Sequence, residues 1–392
     1  MKKWILCSVI ALSLFGGCSS GKNDQINYQI DRATKEAMVI NSPTFNVETL
    51  RIPDQILFEG ETYRVTSIAV GAFEGNKKIR SLEIPDTVIA VGYDAFRNCG
   101  MLERAHLGKG MKTVSDHLFS ECRKLKEITG GENINFLNTG AFEKTGLTSL
   151  RFDRIASIGI DCFFDCRDLE DIYLDGTYTS IGGSAFESCP KLRSVETASS
   201  LTEVGDYAFK NCSSLTDFSF ETLDEIGNYA FEKTRIGSVT LEDVSLGQGT
   251  FASSALEYLS FKGEEIPYRA FDGCSDLNEI HLSDTVSIGS RAFRSVSVAE
   301  MSFPSSLKEI SSEAFVDSTI SSIAFSLDAH LETISRRAFY RTSLRGELTL
   351  PSSLRQIYSE AFASTELASV RIGSSTRLDE NCFPKDTVVE LY

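Results

Sequence analysis

Histidine is scarce in this sequence: His106, His117, His281 and His330 are the four present among 392 residues. None stands in a recognisable frame with a Ser or Cys nucleophile and a carboxylate, which argues against triad-type hydrolysis. None accompanies a cysteine pair at ligand spacing, which argues against zinc. Glycine-rich phosphate loops are missing as well. Basic residues are outnumbered, 39 against 55 acidic, for a formal charge of −16. With no stretch interleaving basic and aromatic residues, nucleic acid and anionic surfaces are poor partners. An acidic surface draws basic proteins and also serves as a general solubility device, and both readings stand. These absences leave no enzyme, no cofactor and no metal to argue for.

Long apolar runs are equally rare. The single one is Trp4–Phe15, preceded by Lys2 and Lys3 and followed by Gly16-Gly17-Cys18-Ser19-Ser20. A basic start, a short apolar segment and small residues describe an export signal over residues 1–17, too short to span a bilayer comfortably. Placement of Cys18 after Leu14-Phe15-Gly16-Gly17 resembles the lipobox of bacterial lipoproteins. That resemblance implies lipidation of Cys18, and a membrane contact through the lipid; an ordinary cleavable signal is the alternative. Residues 18–25 then read as a polar tether. Loss of the leader would take Lys2 and Lys3 with it and deepen the charge to −18.

What the chain has in abundance is one small frame. Fifteen phenylalanines, from Phe73 and Phe96 to Phe362 and Phe383, carry an aliphatic residue five places earlier and usually an Ala immediately before. The steps between them run from 20 to 24 residues. Self-similarity at this period marks a solenoid whose units bury their apolar faces against each other. Each unit holds an apolar-x-apolar strand such as Leu82-Glu-Ile84, a turn, and Ile-Gly-x-x-Ala-Phe-x-x-Cys. Spacing of three puts Phe96 and Cys99 on one face, so this last part reads as a tight helical turn.

The turn occurs in two lengths. With Cys three after the Phe, as at Cys99 and Cys122, the next core aliphatic comes six after it, at Leu102 and Leu125. With Thr or Ser there, as at Thr145 and Thr234, it comes one earlier, at Leu147 and Ile236. Upstream, Tyr28–Ile30 with Ala37–Ile40 and Ile56–Phe58 with Tyr63–Val65 read as hairpins. Residues 26–65 are therefore expected to cap the solenoid, which occupies 66–392 and ends in a half-repeat.

The unit Leu-x-x-Leu-x-Leu-Pro-x-Ser-Leu-x-x-Ile-Gly-x-x-Ala-Phe-x-x-Cys resembles the Treponema-type, BspA-like leucine-rich repeat of bacterial surface proteins, over residues 68–383. The resemblance implies a leucine-rich repeat solenoid: a curved, parallel β-sheet with short helical turns and about 14–15 coils of 20–24 residues. It also implies an outer-membrane, surface-exposed location and adhesion-type binding of a host or microbial protein. A structural or scaffold lipoprotein, of the envelope or of a glycan-uptake assembly, is the alternative.

Apart from Cys7 and Cys18 there are eight cysteines, six of them in the slot three after the Phe. Stacked coils about 4.8 Å apart would permit disulfides. Interchange with Thr and Ser favours buried free thiols, with Cys162 and Cys166 the exception to watch. Recognition should fall on the outward residues of the stacked strands. Large, varied side chains gather there at Arg104, His106, Arg151, Asp171 and Tyr173, and again at Tyr258, Glu279 and His281. Tyr and Arg are common interface anchors, and they are also ordinary on a wetted sheet.

Overall fold

A computed structural model describes residues 4–8, 26–42, 46–196, 198–326 and 328–392. Cys18 and the tether 18–25 lie outside the described residues, as does most of the leader. Of the leader, Trp4–Ser8 forms a strand antiparallel to Asn27–Asp31. The chain divides into two compact units, Met1–Leu201 and Thr202–Tyr392.

In the first unit, Asn27–Asp31 pairs antiparallel with Glu36–Ile40, and Gln55–Phe58 with Glu61–Ile68. Parallel stacking then begins. Thr49–Arg51, Ser81–Glu83, Arg104–Leu107 and Glu127–Gly130 form one ladder, and Ser149–Ile155, Asp171–Gly176 and Ser194–Glu196 a second. Their alternation follows the pleat: in Arg104–Leu107, Ala105 and Leu107 are buried while Arg104 and His106 face out. Two-residue strands after each connection make another ladder, through Thr113–Val114, Phe136–Leu137, Ser157–Ile158 and Ser180–Ile181.

Between the ladders runs a column of phenylalanine rings. In the first unit Phe73, Phe96, Phe119, Phe142, Phe163 and Phe186 stack at 5.1–5.9 Å with planes within 15°. In the second unit Phe209, Phe231, Phe251 and Phe271 begin a column of the same kind, which continues to Phe383. Each contact adds about 0.5–1.5 kcal/mol beyond burial itself.

The turn that carries the Phe is not helical, and no helix occurs among the described residues. The residue two before the Phe and the residue two after it both take left-handed φ, as at Asp94 (57°) and Asn98 (54°) around Phe96. A left-handed residue every four positions prevents a helix from propagating. Instead, alternate N–H groups act differently. Those of Asp94, Phe96 and Asn98 donate to Asp116, Leu118 and Ser120 of the next coil, at 3.1, 3.2 and 2.7 Å. Those of Arg97 and Cys99 close local turns onto Asp94 and Phe96. Spacing of three brings Phe and Cys to one face in such a turn as well as in a helix, so sequence spacing alone could not separate the two.

Cys and Thr in the slot differ in which carbonyl they satisfy, while Ser318 donates like Cys to the preceding coil, at Phe293. The thiols of Cys99, Cys122 and Cys274 donate to Phe73, Phe96 and Phe251 in the preceding coil, at 3.2, 3.1 and 3.1 Å. The hydroxyls of Thr234, Thr342 and Thr365 donate instead to the Phe of their own coil, at 2.8–2.9 Å. The eight cysteines beyond residue 18 are buried, and Cys162 and Cys166 carry free thiols. Burial pushes the Cys166 and Cys274 thiols up to about 11.

At two points a long turn followed by a short one coincides with a break in the strand ladder. Glu127 begins its strand eight residues after Phe119, whereas Ser149 begins seven after Phe142. Among the described residues 127–130 and 149–152 share no ladder pairing. The reverse transition, from Phe142 to Phe163, keeps its register, Ser149 facing Asp171 and Arg151 facing Tyr173. A shortened connection draws the strand back from its neighbour, while a longer one following it has slack to realign. In the second unit the same sequence of lengths, Cys274 then Val296, separates Glu279–Ser283 from Glu300–Phe303.

Candidate functional site

Of the outward residues, Arg151, Asp171 and Tyr173 lie together, immediately beyond the break in the first unit. The Arg151 guanidinium lies 3.8 Å from the centroid of the Tyr173 ring, and its Nε lies 2.9 Å from Asp153 Oδ1. Together with Asp171 they line a hollow of about 500 Å³, which Ser149, Ser194 and Glu196 and the strand residues Ile128, Leu150 and Ile172 also border. Ile128, at the edge of the broken ladder, is only half buried. Exposed ion pairs contribute little to stability, so Arg151 and Asp153 are held there at small energetic benefit.

Arg104 and His106 lie elsewhere. Both face out from the ladder on the other side of the break, where Arg104 Nε donates to Ser81 Oγ at 3.2 Å and His106 Nδ1 lies 3.1 Å from Thr129 Oγ1. Arg104 lines a separate hollow of about 440 Å³ with Glu103, Lys124, Lys126 and Glu127. In the second unit Tyr258, Glu279 and His281 do come together: His281 Nε2 is 2.7 Å from Glu279 Oε1, and the Tyr258 and His281 rings are 5.6 Å apart.

Asp153 and Glu196 were not singled out from sequence. The signal for both is period-two alternation, from Ser149 through Arg151 to Asp153 and from Ser194 to Glu196. Another cluster, on the turn side of the first unit, had no sequence signal because its members come from different coils. Burial would raise the Glu143 carboxyl, but hydrogen bonds from Lys144 (2.6 Å) and Ser120 (3.0 Å) outweigh it and hold the group below the usual carboxylate range. Asp161 is pushed up, by burial first and then by the charges of Glu143 and Glu187. In the second unit the buried Asp272 carboxylate receives Arg269 Nε at 2.6 Å and Arg294 through two contacts of 2.7 and 3.0 Å. These arrangements tie neighbouring coils together.

The chain matches the profile of the BspA type leucine rich repeat region over residues 46–155, 150–257 and 264–389. Among solved structures it is similar to a leucine-rich repeat protein from Bacteroides ovatus, at 23% identity and a TM-score of 0.74, covering 94% of this chain and 98% of that one. A leucine rich cell surface protein from Faecalibacterium prausnitzii aligns at 20% identity over 97% and 96% of the two chains, with a TM-score of 0.44. A leucine-rich repeat protein of T. pallidum aligns at 21% over 55% of this chain and 89% of its own, with a TM-score of 0.40. No curated protein matches. The profile spans most of the sequence, and the Bacteroides structure carries the same fold: the chain belongs to the BspA-type leucine-rich repeat family.

Proposed function

We propose that this chain is an exported binding module, held in a bacterial outer membrane by lipid on Cys18 and docking a protein ligand on its strand face. The observation that carries the reading is the hollow at Arg151, Asp171 and Tyr173. Its stacked Arg–Tyr pair brings together two residue types that often anchor protein interfaces. Arg104 and His106 extend this surface, and Tyr258, Glu279 and His281 offer a second one on the other unit. Cationic groups on an acidic chain add a local contrast of sign that favours selective docking.

The test is a double change, Arg151→Glu with Tyr173→Ala, assayed on a panel of extracellular-matrix proteins beside a carbohydrate array. Both positions face outward, so stability should stay within about 0.5 kcal/mol of wild type. Binding to a protein ligand should weaken by about 1–2 kcal/mol or more. A ligand whose affinity ignores the pair removes the strand-face assignment. Anchoring is tested separately, by labelling with a palmitate analogue in wild type and Cys18→Ala. Equal label in the two rejects the lipid anchor.

A further inference from the structure

The charges around the hollow do not cancel. Its one cation, Arg151, is already engaged by Asp153 and by the Tyr173 ring. Among the described residues, Asp171 and Glu196 on the same hollow have no cationic partner. At the hollow's edge, strands 127–130 and 149–152 leave facing backbone groups without ladder bonds. Such groups need partners, from water in the free protein or from a ligand's main chain in a complex.

We propose that this hollow takes a lysine or arginine side chain from an extended basic segment of a partner protein. Asp171 and Glu196 receive the cation, and the backbone groups freed at the break bond the segment's main chain. The inference rests on the strand-face reading above and narrows it to one partner chemistry. Long-range attraction agrees with it, since a chain of net charge −16 draws basic segments. The break coincides with the short turn at Thr145-Gly146-Leu147, which follows a long one at Cys122.

The probes are two fluorescein-labelled octapeptides, alternating Ser-Lys and alternating Ser-Glu, titrated against the full chain by fluorescence polarisation. The Lys peptide should bind and the Glu peptide should not. Asp171→Asn with Glu196→Gln should weaken the Lys peptide at least tenfold. The pair Glu203→Gln with Glu225→Gln, exposed on the turn side of the second unit, should change it less than twofold. Repairing the break, by inserting one Ala after Gly146 together with Thr145→Cys, should also weaken it at least tenfold. Should that variant fail to fold by circular dichroism, the Asp171 and Glu196 pair decides alone.

Equal affinity for both peptides, equal loss in the Glu203 and Glu225 control, or no loss in the Asp171 and Glu196 pair overturns the proposal. A folded repair variant that binds like wild type overturns the role of the break. Where Arg151→Glu with Tyr173→Ala abolishes a protein ligand but the Lys peptide ignores Asp171 and Glu196, the strand-face reading stands and the basic-segment inference falls.

Discussion

The two ladders of the first unit share every coil yet behave differently at Phe142. The short strands Phe136–Leu137 and Ser157–Ile158 stay paired through it, while the longer Glu127–Gly130 and Ser149–Ile155 part. One lost loop residue lies between Phe142 and the longer strand, so only that side of the coil is displaced. The side reached through the Ile-Gly segment has the same spacing to its Phe in both coils. At this coil one side keeps its pairing while the other loses it beside a hollow. What both sides share is the ring column, and that is where the comparison breaks most easily.

Phe119→Ala should cost about 3–5 kcal/mol, because the ring is fully buried between Phe96 and Phe142. Hydrogen exchange should rise on both ladders within the adjoining coils, since coils couple only to their neighbours. Acceleration confined to one ladder would refute a shared core. Asp272→Ala in the second unit should cost less, about 2–3 kcal/mol, because Arg269 and Arg294 remain partly exposed and regain water. Denaturant midpoints at constant slope give both values.

The slot comparison is finer. Cys122→Thr, with no change of loop length, should cost about 1 kcal/mol by turning the donor toward the Phe119 carbonyl and leaving that of Phe96 without its thiol. A thermal midpoint equal to wild type would make the two slot residues interchangeable.

A smaller effect belongs to pH. Glu143 lies below the usual carboxylate range, so its contribution is complete above that range and is lost as pH falls through its folded value. Asp161 is raised and has the opposite sign, being relieved as it protonates. Glu143→Gln should therefore flatten the fall in thermal midpoint between pH 7 and pH 3; an unchanged slope removes Glu143 from the acid response. At the bottom of the scale, Cys166 and Cys274 should show no labelling by iodoacetamide at pH 7.5 in the folded protein and full labelling in denaturant, read by peptide mapping.

The repeat frame by itself determined the solenoid, the ring column, the free cysteine slots and the outward column of strand residues. Each of these depends on a period, and a period is visible along the chain. It also placed Arg151, Asp171 and Tyr173 on one face, because parallel strands in register bring equivalent positions side by side. The tertiary structure decided three things. The turn is a left-handed, coil-to-coil ladder and not a helical turn, since both conformations bring residues three apart to one face and only backbone dihedrals distinguish them. Arg104 and His106 belong to a different ladder from Arg151, because pairing is decided only when one coil must bond to the next. The buried Asp272 and the Glu143 cluster depend on side chains from neighbouring coils, whose charges come together only after about twenty residues of chain have wound once around the core.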